Sequence, residues 1–275
     1  MALVAIIVPM YNVEKYITSL LDCIKNQTFK DFKCFLIDDG STDNTAEVIK
    51  PYLEDSRLEY HYQENKGPGA ARNLGLSLLT DEKYVKMIDA DDSIDSHLLE
   101  FCVELMEKND FIDMERVQYI ATNCKGEICS AGNLISFIEL IPVERLDIHY
   151  VGWGEFLKTS IIKDNNLRYP ENLKNHEDGV FGLDYLDHAN WVCLLPTVLY
   201  EWKGQNENSL SAAWHKRSSD LGQEGAGKII EIYQEWIKKH PNSKMIPVVK
   251  NTIKALSKSY EDRTTRWTPP HLTFD

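Results

Sequence analysis

Tyr84-Val85-Lys86-Met87-Ile88-Asp89-Ala90-Asp91-Asp92 is the stretch on which the reading of this chain turns. A short apolar run ends abruptly in three carboxylates within four residues. Apolar runs of this length bounded by polar residues read as buried strands. At the C-terminal end of a strand in an α/β sheet, side chains project into the crevice where ligands bind. Asp89 and Asp91 are two apart, so on extended backbone they point the same way. Two carboxylates crowded on one face repel each other unless a cation sits between them. Oxygen-only ligands suit Mg²⁺ or Mn²⁺, and Mg²⁺ commonly shares its shell with substrate phosphates. The stretch therefore reads as a device for holding a metal against a diphosphate. Its plain alternative is a solvated acidic turn, and the flanking sequence decides between the two.

Upstream, Leu3–Val8 is a continuous β-rich run, as a central parallel strand should be, and Pro9-Met10-Tyr11-Asn12 breaks it. Glu14 to Gln27 shows helical spacing through Ile17, Leu20, Leu21 and Ile24. Phe32–Ile37 is a second strand, ending in Asp38-Asp39-Gly40. Ser41 or Thr42 is expected to cap a helix running through Leu53. Leu58–Tyr62 is a third strand, followed by the loop Asn65–Gly69 and a helix over Ala70–Leu79. After the acidic stretch a helix is expected from Ser96 to Lys108. The order βαβαβαβα predicts a doubly wound, mostly parallel sheet. In such a sheet the polar strand ends Pro9–Asn12, Asp38–Asp39, Asn65–Gly69 and Asp89–Asp92 gather along one edge. They give a crevice with several carboxylates, the ring of Tyr11 and the guanidinium of Arg72.

Composition sets bounds on function. A net charge of −13 argues against general nucleic-acid binding. No window approaches the roughly 18 uncharged apolar residues of a membrane span, and Leu3–Val8 is too short for a signal peptide. The six cysteines form no CxxC pair and read as free thiols of a reducing cytoplasm. Neither GxGxxG nor GxxxxGK[ST] occurs, which disfavours a dinucleotide oxidoreductase and a P-loop NTPase.

Four segments carry a resemblance: Val8–Glu14, Ile37–Asp43, Gly67–Asn73 and Met87–Asp92. In order and spacing the chain resembles the inverting GT-A-fold glycosyltransferases of family 2, which use nucleotide-sugar donors. The resemblance is close from about residue 3 to 100 and looser to about 215. It implies that Pro9, Tyr11, Asn12, Glu14, Asp39, Gly67, Arg72, Asp89, Ala90 and Asp91 bind the nucleotide-sugar. Within that set Tyr11 stacks on the base and Asp39 accepts from the base's ring N–H, which is uracil-like chemistry. Arg72 flanks the base or the diphosphate. Asp89 lies by the ribose and a Mn²⁺ or Mg²⁺, Asp91 ligates that metal directly, and Asp92 supports from behind. Asp38 reads instead as the cap of a turn.

After Lys108 the pattern loosens. Phe111–Met114 and Val117–Thr122 read as strands, and Leu134–Ile141 as strand or helix. Val151–Lys158, which contains Trp153, is similar to the family's acceptor-side stretch, although Glu155 stands where a lysine is common. Trp153 is either a sugar platform or a core residue. Asn172–Asp178 is a loop entering a helix and is similar to the family's Glu-Asp segment, which makes Asp178 the expected catalytic base and puts Glu177 on the acceptor side. The alternative is an acidic first helical turn favoured by the macrodipole. Trp191–Leu195 and Val198–Trp202 read as strands on either side of Pro196. His215 matches only by position a third metal ligand found in some relatives, and a structural histidine is the alternative. Helices are expected over 225–240 and 245–260.

The chain is thus divided into a nucleotide-sugar half over 1–108, an acceptor and catalytic half of the same domain over 109–220, and a helical C-terminal extension over 221–275. The expected activity is metal-dependent transfer of a hexose or N-acetylhexosamine from a UDP-sugar to a saccharide, lipid-linked or glycoprotein acceptor. One metal-binding cluster and one separate carboxylate fit an inverting displacement. A nucleotidyltransferase is disfavoured because residues 9–14 hold no glycine. A non-catalytic subunit of a glycan-assembly complex is the other alternative, disfavoured because Asp39, Asp91 and Asp178 are all present. The expected location is the cytoplasm. Lys250, Lys254 and Lys258 form a basic helical stripe, which reads first as a solvated helix face, with docking of a partner or peripheral contact with the inner face of a membrane as the alternatives.

Overall fold

The structure is a computed structural model that describes residues 2–122, 128–131, 138–146, 155–173, 175–203 and 227–261. In chain order the first half comprises β1 (Val4–Met10), α1 (Ile17–Lys25), β2 (Phe32–Asp39), α2 (Thr45–Ile49), β3 (Leu58–Gln63), α3 (Pro68–Ser77), β4 (Tyr84–Met87), β5 (Ser93–Ile94) and α4 (Leu98–Lys108). The second half follows with β6 (Met114–Thr122), β7 (Ile128–Ala131), β8 (Glu139–Pro142), β9 (Glu155–Lys158), α5 (Thr159–Asp164), α6 (Glu177–His188) and β10 (Trp191–Lys203). Two helices close the described chain: α7 over 227–239 and α8 (Ile246–Glu261).

β1 lies at the centre of the first half because every residue from Val4 to Val8 is apolar and fully buried. It pairs in parallel with β2 on one side and β4 on the other, and β3 pairs in parallel outside β2. The resulting order β3-β2-β1-β4 reverses direction between β1 and β4, which is where doubly wound sheets open a ligand crevice. Val4, Ile6 and Val8 face one core with α1 and α4, while Ala5 and Ile7 face a second core with α3, α6 and the C-terminal helices. The α3–β1 approach is close enough that a Cβ on Gly75 would lie 2.4 Å from Ile7 Cγ2.

The sheet continues into the second half through β9, which is antiparallel to both β4 and β6. β10 runs parallel to β6, and its far end pairs antiparallel with the two-residue β5. This return of β10 to β5 brings the end of the second half back to the acidic stretch. Among the described residues no helix is long and apolar enough to cross a membrane.

Four expectations need correction. The helix expected through Leu53 is α only over Thr45–Ile49 and tightens to 3₁₀ over Lys50–Glu54, because Pro51 has no N–H for the α ladder. Neither Ser41 nor Thr42 caps it: Asp43 Oδ1 accepts the Thr45 N–H at 2.9 Å, while Ser41 Oγ accepts the Asn12 N–H. Pro196 does not split its strand, since β10 absorbs it through register shifts between Leu194 and Tyr200. Phe111 is not in a strand; it stands exposed against Trp191, with ring centroids 6.4 Å apart and edge to face.

Candidate active site

The first two strand-end loops are laced together. Asn12, with φ at 53°, accepts the Thr42 N–H at 2.7 Å through its side-chain oxygen. Glu14 donates its own N–H to Asp43 and accepts that of Asn44 at 2.9 Å. Asn12 and Glu14 therefore hold the loops to each other. Pro9 is half-buried at the end of β1, and the ring of Tyr11 stands 49% exposed at the crevice lip.

Asp38 and Asp39 are adjacent and have separate tasks. Asp38 accepts the Ser41 N–H and the Tyr60 hydroxyl, both at 2.8 Å, and so caps the turn. Gly40 supplies that turn's φ of 76°, and a Cβ there would lie 2.8 Å from the Asn65 nitrogen. Asp39 faces the β3–α3 loop, where it accepts from Gln63 Nε2 at 2.6 Å and from the N–H groups of Lys66 and Gly67 at 2.9 and 2.8 Å. An ionised carboxylate has about four lone-pair sites, so Asp39 retains room for one further donor.

Arg72, on the second turn of α3, reaches across the crevice. Its guanidinium donates to Asp89 Oδ1 at 2.8 Å and to Glu177 Oε1 at 2.7 Å, and it packs over the ring of Tyr169 at 5.5 Å. One buried fork thus joins the acidic stretch to the start of α6. Burial pushes the Glu177 carboxyl up from the ordinary range, while the Arg72 charge opposes that shift. Asp178, the next residue, is only half-buried, and its Oδ1 accepts the Gly179 N–H at 2.7 Å. Asp178 lines a cavity of about 30 Å³ with Met87, Met114, Glu155, Tyr169 and Phe181.

The three aspartates of the acidic stretch divide in the same way. Asp89 and Asp91 are half-buried, whereas Asp92 is buried and held by the Tyr200 hydroxyl and the Lys203 N–H. Burial, and then the charges of Asp89 and Asp91, push the Asp92 carboxyl well above its usual range. Ala90 is buried between them. Among the described residues no three His, Cys, Asp or Glu side chains close into a metal site. Asp89 and Asp91 nonetheless fit a hard divalent cation, since both are oxygen donors with access to the crevice and substrate phosphates can complete the shell.

Trp153 and His215 lie outside the described residues. Of the remaining sequence-derived candidates, Arg72, Asp89 and Glu177 are joined directly and Asp178 adjoins Glu177, while Tyr11, Asp39 and Asp91 lie at or just past the C-terminal ends of the parallel strands β1, β2 and β4. Sequence reasoning missed the roles of four residues: Tyr169 beneath Arg72, Tyr200 behind Asp92, and the hydrogen-bonded pair His176 and Tyr233. None of them carries a spacing signal, because each meets its partner only through the tertiary fold.

The chain matches the profile described as Glycosyl transferase family 2 over residues 5–142. It is similar to TarS of Staphylococcus aureus, a poly(ribitol-phosphate) beta-N-acetylglucosaminyltransferase, at 30% identity over 219 residues, covering 76% of this chain and 37% of that one. An uncharacterized glycosyltransferase of Rickettsia bellii is 30% identical over 177 residues, covering 64% of this chain and 25% of its own. The crystal structure of S. aureus TarS 1-349 in complex with UDP-GlcNAc superposes with a TM-score of 0.66 at 26% identity, over 74% of this chain and 58% of that one. The chain spans less than two thirds of the length of each of these relatives.

Proposed function

The chain belongs to glycosyl transferase family 2 and has the GT-A fold, and from that premise we propose an inverting transferase that moves a hexose or N-acetylhexosamine from a UDP-sugar to an acceptor hydroxyl. The observation that carries the reading is the Arg72 fork, which holds donor-side Asp89 and the Glu177–Asp178 turn across one crevice. A displacement with inversion needs the leaving diphosphate on one side of the anomeric carbon and a base on the other.

Tyr11 stacks on the base, and the remaining lone-pair site of Asp39 accepts the ring N–H of a uracil. Asp91 and Asp89, with His215 as a third candidate, would hold Mn²⁺ or Mg²⁺. The cation would supply positive charge where negative charge grows on the leaving diphosphate. Asp178 removes the acceptor hydroxyl's proton as that oxygen attacks, and its half-exposed carboxylate is supported in this role by the engagement of Glu177 with Arg72. Trp153 offers a platform for the acceptor sugar. The exposed Lys250 and Lys254 of α8 would meet an anionic leaflet at the inner face of a membrane if the acceptor is lipid-linked.

Similarity to a transferase of poly(ribitol-phosphate) crystallised with UDP-GlcNAc makes that donor, with a saccharide or polyol-phosphate polymer, the first pair to assay. The wild type should release UDP with acceptor and Mn²⁺ present, and Asp178→Asn should not. Failure of the wild type to bind or turn over any UDP-, GDP-, CDP- or dTDP-sugar would reject the reading.

A further inference from the structure

We propose that the C-terminal helices belong to the catalytic machinery: Tyr233 of α7, acting through His176, fixes the position of Asp178, so that Tyr233 and His176 are positioning residues for the base. This inference rests on the reading of Asp178 as the general base. His176 immediately precedes α6 and takes a left-handed backbone with φ at 69°. Non-glycine residues adopt that conformation uncommonly, so the surroundings must hold it. The hold comes from α7. Tyr233 is buried, its hydroxyl lies 3.3 Å from His176 Nε2, and the two ring centroids are 5.8 Å apart.

The consequence for Asp178 is geometric. The His176 carbonyl accepts the Val180 N–H at 3.2 Å and so closes the turn on which Asp178 sits. Asp178 Oδ1 is oriented by the N–H of Gly179. A Cβ placed on Gly179 would meet His176 Cδ2 at 3.6 Å and the Tyr233 hydroxyl at 3.8 Å, so both side chains lie directly against the backbone that orients the carboxylate. Both groups also respond to its charge. Burial lowers the His176 imidazole pKa while Asp178 opposes that shift. Burial raises the Tyr233 phenol pKa, and Asp178 adds to it. A neutral imidazole and a neutral phenol make one hydrogen bond with no charge beside the base.

α7 cannot drift independently of α6. Trp236 Nε1 donates to Asp184 Oδ1 at 2.6 Å, and the His240 ring stacks on Trp236 at 4.4 Å. Ser243 donates to Asp187 at 2.6 Å, nearer the C-terminal end of α6. α6 is therefore clamped along its length, with the Tyr233–His176 bond as the clamp's contact nearest the proposed base.

The test compares Tyr233→Phe, His176→Asn, their double variant and Asp178→Asn. Asparagine is chosen because it tolerates a positive φ. Each single variant should lower kcat for transfer about tenfold, with donor KM and UDP Kd unchanged. The double variant should be no worse than the more damaged single variant, because the pair acts as one unit. If Asp178→Asn is inactive while Tyr233→Phe keeps its kcat, the positioning role is overturned and the base reading stands. If Asp178→Asn keeps its transfer rate, the base reading itself fails. Losses that add fully in the double variant, or that fall equally on kcat and UDP affinity, would mark a merely structural contact and also overturn the proposal.

Discussion

Glu177 and Asp178 are neighbours in sequence, but their surroundings differ. Glu177 is buried and bound to Arg72, whereas Asp178 is half-buried and lines a small cavity. Replacing Asp178 with Asn should leave UDP affinity near normal and cost a factor of about 10² to 10⁴ in transfer rate. Glu177→Gln removes one of the two carboxylates that neutralise a buried guanidinium. It should therefore lower stability by on the order of 2–3 kcal/mol, read as a shift in urea midpoint. Transfer lost at wild-type stability in Glu177→Gln, together with transfer retained in Asp178→Asn, would move the base by one residue. Arg72→Lys should also destabilise, because a single ammonium lacks the fork that reaches both Asp89 and Glu177. The sequence exposed each of these residues as candidates. The resemblance read Arg72 as a contact to base or diphosphate, and its pairing with Glu177, 105 residues away, left no trace in local spacing.

Among the elements of the first half, β1, β2 and β4 were legible because each is a short, mostly apolar run next to a helix of clear period. β1, buried on both faces, is the plainest example. The second half was less so because its strands carry buried polar residues. β6 includes Glu115, Arg116 and Gln118, and burial pushes the Glu115 carboxyl up to about 8. Two elements give sharp tests. Gly75→Ala forces a methyl group into Ile7 at the α3–β1 contact and should cost about 1–3 kcal/mol, measurable by thermal unfolding. An unchanged Tm would mean that α3 can shift away from the sheet. On β4, Lys86 is fully buried, its Nζ has no hydrogen-bond partner among the described residues, and it lies 5.1 Å from the Tyr200 ring centroid. Burial lowers its pKa from 10.5 to about 8, against the opposing charges of Glu155, Asp89 and Asp92. Between those values the unfolded chain binds more protons, so this group's contribution to stability rises with pH. Lys86→Met should therefore stabilise the fold at pH 7 by roughly 1–3 kcal/mol, and the gain should fade as pH climbs from about 8 towards 10.5. A gain that stays constant over that window would show that the ammonium's burial is not its source.

At the scale of the whole molecule, the C-terminal helices were legible as helices, but their docking on α6 was not, since it rests on contacts such as Trp236 to Asp184. The charge balance was legible from composition alone, and it bears on the donor. A chain of net charge −13 is proposed to bind a nucleoside diphosphate, itself a polyanion. Asp39, Asp89, Asp91 and Asp178 stand at the crevice, while the Arg72 charge is already engaged by Asp89 and Glu177. Salt screens exposed charges beyond a Debye length of about 8 Å, but it cannot relieve carboxylates and phosphates in direct contact. A divalent cation at Asp91 would relieve them, which makes metal removal the most direct test of the proposed site. Chelation with EDTA should weaken UDP binding at least about tenfold, on the scale of one lost strong ionic contact. It should also abolish transfer, with Mn²⁺ restoring both. Asp91→Asn should bind UDP weakly and to the same extent with and without Mn²⁺, because a neutral amide is a poor substitute for a carboxylate at a hard cation. Wild-type turnover unchanged by EDTA would refute the metal assignment, and the diphosphate's charge would then have to be met by cationic side chains of the protein.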